Sequence, residues 1–339
     1  MKLLICTQTV DKNNPILGFF HGWIEEFAKH FEDIEVICLK EGFHQLPENV
    51  SVHSLDKESG ENRIKYIVRF YTHLLSLRGK YDRVFVHMNP HYVLLGGWYW
   101  KLNRVPVFFW RNHAKMNLMT EIAAKFAKRV FYTSPFACTS TYSHAIQMPV
   151  GIDHTKFTPG HRNNSGICRI LFLGRLSPVK RAEIFIDAGK HLPGNVELHV
   201  YGDAPKKDRV YGEAIKAEAA KNTFFHPSVK NEDTPQIYQA HDVYVNLTPE
   251  GSMDKTVLEA AACGVPVIVA NTSFSKVFDK DSLLKTTTGK ALAESISSLM
   301  RLPAEARRER ATKARQNVIE QHSLEKLGIM LRNYLHEQD

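Results

Sequence analysis

Short apolar runs alternate with amphipathic stretches along nearly the whole chain, and few folds accommodate that rhythm. Residues 3–6, 34–38, 84–87, 105–110, 129–132, 170–173, 197–201, 243–247 and 265–269 have the length and composition of buried strands. Between them, residues 22–31, 61–77, 120–127, 181–191 and 210–221 repeat apolar side chains at helical spacing. Strands separated by helices predict parallel sheets flanked by helices, an α/β architecture. The rhythm breaks at MPVGIDHTKFTPG, where Pro149, Gly151, Pro159 and Gly160 gather, and restarts at Ile170. Two doubly wound, Rossmann-like domains are therefore expected, over 1–155 and 156–315, followed by a charged helical segment within 305–337.

The chain has 339 residues, enough for two domains that each bury a core. With 43% hydrophobic and 24% charged residues its composition is that of a globular protein. The opening MKLLICTQTV reads as a first strand, since its apolar run is too short for a signal peptide. No run reaches the length of a membrane span; residues 93–110 come nearest but are interrupted by Lys101, Asn103, Arg104 and Pro106. Five cysteines, Cys6, Cys38, Cys138, Cys168 and Cys263, are odd in number and far apart, as for free thiols in a reducing cytosol. A formal charge of +8 points to anionic partners.

Three segments carry chemistry. In RILFLGRLSPVKRAEIFIDA a strand ends at Leu173, Gly174 permits a tight approach, and Ser177–Pro178 suits a helix start. Arg175 and Lys180 then flank a helix N-terminus, itself favourable to anions, and a guanidinium with an ammonium suits a diphosphate. The same residues also suit an ordinary solvated helix start. In PEGSMDKTVLEAAACGVPVIVA, Glu259 lies on a short helix just ahead of a buried strand, placed to accept two hydroxyls of a sugar diol. The third, VELHVYGDAP, ends a strand at Gly202.

These segments, with MPVGIDHTKF and VPVFFWRNHAK, resemble the retaining glycosyltransferase family 4, of the GT-B fold and glycosyl transferases group 1. The resemblance runs from about residue 105 onward, and before that by layout only. It implies two Rossmann-like domains with an interdomain cleft and a C-terminal helix, 316–339, packed back on the first domain. It implies that Arg175 and Lys180 stabilise a departing nucleoside diphosphate, that Glu259 holds the ribose, and that the loop 225–229, to Val229, lies near the base. Gly18 stands where the family's glycine loop turns amides toward the phosphates, and His113 where a histidine meets the donor sugar or its phosphate; Ser134 and Gly151 fall on the cleft side. One departure is plain. The family's first acidic residue would fall at position 251, which is Gly251, with Glu250 one residue out of register. Gly251-Ser252-Met253-Asp254-Lys255 matches a variant in which Ser252, Asp254 and Lys255 surround the sugar and phosphate.

Asp279-Lys280-Asp281 has the form of a metal motif but lies in a polar stretch, and Asn89–Pro90 argues against a zinc pair from His87 and His91. No metal and no cofactor is expected. The segment ENRIKYIVRFYTHLLSLRGK sets Arg63, Lys65, Arg69, His73 and Arg78 about an apolar stripe of Ile64, Val68, Tyr71 and Leu75. It reads either as a solvated helix over a core stripe or as a contact with anionic lipid or a lipid-linked acceptor. The expected activity is metal-independent, retaining transfer of a sugar from a nucleotide-diphosphate sugar to a hydroxyl of a glycan, lipid-linked glycan or small molecule. It is set in the cytoplasm or at the inner membrane face, without nucleic acid as partner. A non-catalytic nucleotide-sugar-binding partner, or an epimerase or hydrolase of the nucleotide sugar, stand as alternatives.

Overall fold

The computed structural model describes residues 1–60, 62–160, 166–251 and 253–337, so Glu61, the polar run 161–165 and Ser252 lie outside the described residues. The chain divides into two compact units, Met1–Gly151 with Leu324–Asp339, and Ile152–Ser323. The first unit contains β1 (Leu3–Val10), α1 (Phe19–Ala28), β2 (Ile34–Glu41), β3 (Val50–Ser54), α2 (Arg63–Ser76) and β4 (Arg83–His87). It continues with α3 (Pro90–Leu102), β5 (Val107–Trp110), α4 (Leu118–Phe126), β6 (Arg129–Tyr132) and β7 (Ala145–Gln147). The second contains β8 (Cys168–Leu173), α5 (Ala182–Gly189), β9 (Val196–Tyr201), α6 (Arg209–Glu218), β10 (Thr223–His226) and α7 (Thr234–Gln239). After these come β11 (Val243–Asn246), α8 (Lys255–Ala262), β12 (Val267–Val269), α9 (Gly289–Arg301) and α10 (Ala304–His322), before α11 (Leu324–His336) returns to the first unit.

Both sheets are parallel, in the orders β3-β2-β1-β4-β5-β6-β7 and β10-β9-β8-β11-β12. Parallel strands covered on both faces need apolar residues in both phases of the pleat. In β1, Leu3 and Ile5 face one core with α1 and α11, whereas Leu4 and Cys6 face the other with α2, α3 and α4. In the second unit Ile170, Phe172 and Leu198 pack beneath Phe185 and Ile186 of α5 and Ile296 of α9. Each sheet is thus doubly wound, as the alternation of runs predicts.

Three strands, β3, β7 and β10, have no counterpart among the apolar runs. Each is at a sheet edge and half exposed, so its sequence carries no continuous apolar signal. The expected helical tail is two helices, broken at Ser323. Because α10 packs on α8, residues 316–322 belong to the second unit, and the returning segment starts at Leu324. Among the described residues, no helix is long and apolar enough to cross a membrane.

Helix α11 closes the first core. Leu327, Leu331 and Leu335 recur at one-turn spacing and are fully buried beside Phe27, Phe108 and Phe131. Leu331→Ala is expected to cost about 2–5 kcal/mol. Urea unfolding should show the loss in the transition of the first unit alone.

Candidate functional site

The carboxyl ends of the second sheet carry most of the singled-out residues. Gly202, just past β9, has φ 141°, and a Cβ there would fall 2.0 Å from the carbonyl oxygen of Gly174, just past β8. No side chain fits, so the two strand ends approach as bare backbone. The segment after Gly174 differs from expectation. Pro178–Lys180 is a 3-10 turn, Arg181 takes a left-handed φ of 52°, and α5 begins only at Ala182. Lys180 is thus held on a turn preceding the helix. Arg175 is exposed, and its guanidinium makes no hydrogen bond or ion pair among the described residues. The Ser177 hydroxyl beside them is buried without a partner among the described residues.

Lys180 meets Asp254. Its ammonium pairs with Asp254 Oδ2 and donates to Thr248 Oγ1 at 3.1 Å. The same carboxylate oxygen accepts from Thr248 Oγ1 at 2.7 Å and Asn246 Nδ2 at 3.0 Å. Asp254 occupies the N-cap of α8 yet makes no capping bond, because its carboxylate is committed to these three groups. Burial alone would raise its pKa. The Lys180 charge and the three hydrogen bonds outweigh that and hold it below the ordinary carboxylate value.

One turn along α8, Glu259 is 2% exposed. It accepts from Tyr238 Oη at 3.1 Å and from Asn231 Nδ2 at 3.3 Å. Burial raises its pKa against the opposing pull of Lys255, Tyr238, Lys156 and Asn231. Burial lowers Lys255 to about 8, with Lys156 adding to the shift and Glu259 and Asp153 opposing it. Lys156 holds Asn231 through both its carbonyl, 3.0 Å, and its side chain, 2.9 Å. Tyr244 joins the two groups: its hydroxyl bonds Thr256 at 2.8 Å and its ring packs edge-on to Tyr238.

The turn before α8 is fixed by Asn271, which donates to the Pro249 carbonyl at 3.2 Å. Gly251 sits there buried at φ 115°, a conformation L side chains rarely adopt. Glu250 points outward and accepts from Thr272 Oγ1 at 3.2 Å. Val229 is half buried in the loop after β10, which Ser228 pins to Asp203 by reciprocal bonds of 3.0 and 3.1 Å. The structure therefore brings Lys180 together with Asp254, and Lys255 with Glu259. Asn246, Thr248, Asn231, Tyr238 and Lys156 were not singled out from the sequence. The only signal for them was polar residues at the ends of apolar runs.

In the first unit Gly18 is the N-cap of α1, and its amide donates to the Asn14 carbonyl at 2.9 Å. The amides of Ile16 and Leu17 go to Asn14 Oδ1 at 3.0 and 2.9 Å, so this loop's amides are satisfied internally. His113 is exposed after β5, and its Nδ1 accepts from the Lys115 amide at 3.0 Å. Nearby, Met88 takes a left-handed φ of 63° at the end of β4, with its carbonyl held by Arg111 Nη1 at 2.8 Å. Asp279 and Asp281 both pair with Arg310. His87 is buried and stacked on Phe20, whereas His91 is exposed on α3. Among the described residues no group of three or more His, Cys, Asp or Glu side chains is arranged to hold a metal ion.

Residues 155–317, within the second unit, match the family described as glycosyl transferases group 1. D-inositol 3-phosphate glycosyltransferase of Geodermatophilus obscurus is 29% identical over 147 residues, 37% of this chain and 32% of that protein. Its counterpart from Mycobacteroides abscessus is 29% identical over 132 residues, 35% and 30% of the two chains. The chain thus spans about a third of these relatives' length. Alr3699/HepE of Anabaena, solved with UDP and glucose, superposes with a TM-score of 0.78 at 16% identity, covering 99% of both chains. WaaG, a glycosyltransferase involved in lipopolysaccharide biosynthesis, superposes with a TM-score of 0.67 at 15% identity, covering 99% of this chain and 100% of the other. These likenesses establish the two-unit α/β fold of GT-B glycosyltransferases.

Asp254→Asn would leave Lys180 partly buried with no counter-charge, and is expected to destabilise the second unit by about 3 kcal/mol. Since the Asp254 pKa is lowered in the folded state, its stabilisation is full above the ordinary carboxylate range and is lost as pH falls through the lowered value. Acid unfolding of the wild type and variant should therefore converge at low pH.

Proposed function

We propose that this protein is a retaining, metal-independent glycosyltransferase that moves a sugar from a nucleotide-diphosphate sugar to an acceptor hydroxyl. The observation that carries this reading is the pair of groups about α8: a buried carboxylate, Glu259, presented by Tyr238 and Asn231 with Lys255 one turn before it, and Lys180 paired with Asp254 at the helix N-cap. The group 1 match over this unit supports it.

In this reading Glu259 accepts the two ribose hydroxyls, and the loop to Val229 contacts the base. Gly174 and Gly202 leave room for the diphosphate, which Arg175 and Lys180 neutralise; Asp254, Lys255 and Gly251 border the sugar and phosphate, and Ser252, expected with them, lies outside the described residues. His113 and Gly18 serve the donor from the first unit. The bond from the sugar's anomeric carbon to the phosphate oxygen breaks, and its electron pair stays on that oxygen. The acceptor oxygen bonds to the same face of the sugar, and its proton passes to the departing phosphate. Fixed cations lower this barrier by matching charge that develops only as the bond breaks. No cofactor takes part beyond the donor itself, and nucleic acid is not a partner. The acceptor is a glycan, a lipid-linked glycan or a small molecule, handled in the cytoplasm or at the inner face of the membrane. A second reading, a non-catalytic nucleotide-sugar-binding partner, is favoured by Gly251 at the place of the first acidic residue and by the outward turn of Glu250.

A thermal-shift panel of UDP, GDP, ADP and their sugars, with and without EDTA, tests the donor site. A ligand at 100 times its Kd adds about 2.7 kcal/mol, and stabilisation by one nucleotide series, unchanged by EDTA, is expected. Glu259→Ala should weaken that ligand about thirtyfold, the equivalent of about 2 kcal/mol for bonds to a charged group. Arg175→Ala should keep binding while turnover falls about a hundredfold or more. Near-wild-type kinetics in both variants would overturn the assignment. Binding without turnover on any acceptor would give preference to the second reading, whereas release of free sugar would point to a hydrolase of the nucleotide sugar.

Lys255 titrates at about 8. Affinity for the nucleoside diphosphate is therefore expected to fall as pH rises through that value. Lys255→Arg, which stays protonated, should remove the alkaline limb in a calorimetric titration.

A further inference from the structure

The first unit carries a second feature, on the edge of its sheet where β4, β5 and β6 begin. A cavity of about 710 Å³ is lined there by Arg83, Lys101, Arg104, Lys125, Lys128 and Glu337, with Val105 to Val107 and Phe126 as its apolar part. Five cations thus face one carboxylate among the described residues. Several are engaged: Arg83 Nε donates to the Leu335 carbonyl at 2.9 Å, Lys128 Nζ to the Glu337 carbonyl at 3.0 Å, and Lys125 pairs with Glu121 at 2.7 Å. Lys101 and Arg104 are exposed, and their side chains make no hydrogen bond or ion pair among the described residues.

Cations at helix C-termini are ordinary, because they complement the helix dipole. Lys101 in the last turn of α3 and Lys125 in the last turn of α4 fit that account. Arg104 does not. The end of α3 is a Schellman turn, in which Arg104 N donates to the Lys101 carbonyl at 3.1 Å and Val105 N to that of Trp100 at 2.8 Å. The residue after the C-cap is then left-handed, and Arg104 has φ 55°. Glycine is the residue that this position favours, so an arginine is kept there at a conformational cost.

The ground around the cavity is apolar and uncovered. Leu102 is 75% exposed and Trp98, one turn earlier on α3, is 53% exposed. Helix α3 lies close on α4 where Gly97 faces the Phe126 ring, and Ile122, one turn before Phe126, is exposed. Beyond Trp98 comes α2, whose Tyr71 ring neighbours the Trp98 ring and whose hydroxyl donates to the Leu95 carbonyl. The apolar stripe on α2, read from the sequence either as core or as a lipid contact, is largely outside the core: Ile64, Val68 and Leu75 are 72%, 59% and 58% exposed, while Phe70 and Leu74 fill the core.

We propose that this face docks on an anionic bilayer, with lipid phosphates entering the basic cavity and Leu102 and Trp98 entering the headgroup boundary. Charge complementarity selects the occupant: a protein partner has no general reason to present phosphate beside an apolar layer, whereas a bilayer of anionic phospholipid does so everywhere. The cavity lies at the amino ends of the strands, whereas His113 lies beyond the carboxyl end of β5. It can therefore be tested apart from the donor site.

The test is flotation of the full chain with vesicles of phosphatidylcholine, with or without phosphatidylglycerol, at low and high salt, beside a titration with inorganic phosphate. Binding to the anionic vesicles alone, weakened by salt, is expected. Arg104→Gly should weaken it about fivefold, the equivalent of about 1 kcal/mol per cation near the surface. The same variant should have an unchanged or higher Tm, because glycine relieves the left-handed residue, so that loss of binding is not loss of fold. Leu102→Asn should weaken vesicle binding and leave phosphate binding alone. Failure to float with phosphatidylglycerol at low salt, phosphate binding without vesicle binding, or unchanged flotation of either variant would overturn the proposal.

Discussion

One carboxylate organises the carboxyl end of the second sheet. Asp254 receives an ammonium from the turn after β8, an amide from the end of β11 and a hydroxyl from the residues just beyond it, all on one oxygen. Lys180 comes from the connection between β8 and α5, and the other two groups from the end of β11 and its connection to α8, which carries Asp254 itself, so the bond set fixes these two connections against each other. Asp254 stands at the N-cap of α8, and Glu259 on the same helix meets Tyr238 and Asn231. A buried ion pair is weak evidence for net stability. Its value here is positional, since Asp254 ties the turn that carries Lys180 to the start of α8.

The fold was legible because a doubly wound sheet writes itself as apolar runs in both phases of the pleat. Leu3 to Cys6 are all buried, on alternate faces, so the run is unbroken and readable. Edge strands escape that rule. Residues 145–147 form β7 with one exposed and two half-buried side chains, and nothing in their composition sets them apart from a loop. The site was legible where chemistry forces residue type. Gly202 is demanded by a carbonyl 2.0 Å from its absent Cβ, and Glu259 stood out as a carboxylate in an Ala-rich helix. The groups that hold those residues were not legible. Asn246 and Thr248 are ordinary polar residues until the sheet sets them opposite Lys180 and Asp254. The stripe on α2, which reads either as core or as a lipid contact, stays undecided in the sequence for a related reason. Helical periodicity marks an apolar face but does not say which partner covers it, and Ile64, Val68 and Leu75 face outward.

The formal charge of +8 also resolves into places. Part of it, Lys156, Arg175, Lys180 and Lys255, stands about α7 and α8, where the burial of carboxylates and ammonium groups shifts their proton affinities against each other. Another part stands at the amino ends of the first sheet, on helix termini and one strained turn. In the first group Lys156, Lys180 and Lys255 are half-buried and Arg175 is exposed, whereas in the second Lys101 and Arg104 stand open beside cations that are engaged. Net charge by itself distinguishes neither.

The return of the chain at Leu324 affects the order of events during synthesis. The first unit is discontinuous: its sheet is made from residues 1–151, but the three leucines sealing one face belong to α11. While the ribosome is still making the second unit, Phe27, Phe108 and Phe131 lack that cover. The second unit, which is continuous from Ile152 to Ser323, can therefore complete its core first, reversing the usual order in which the N-terminal unit folds before the one after it. The nascent first unit carries an open aromatic face throughout that interval. A chaperone that shields apolar surface has its natural target there.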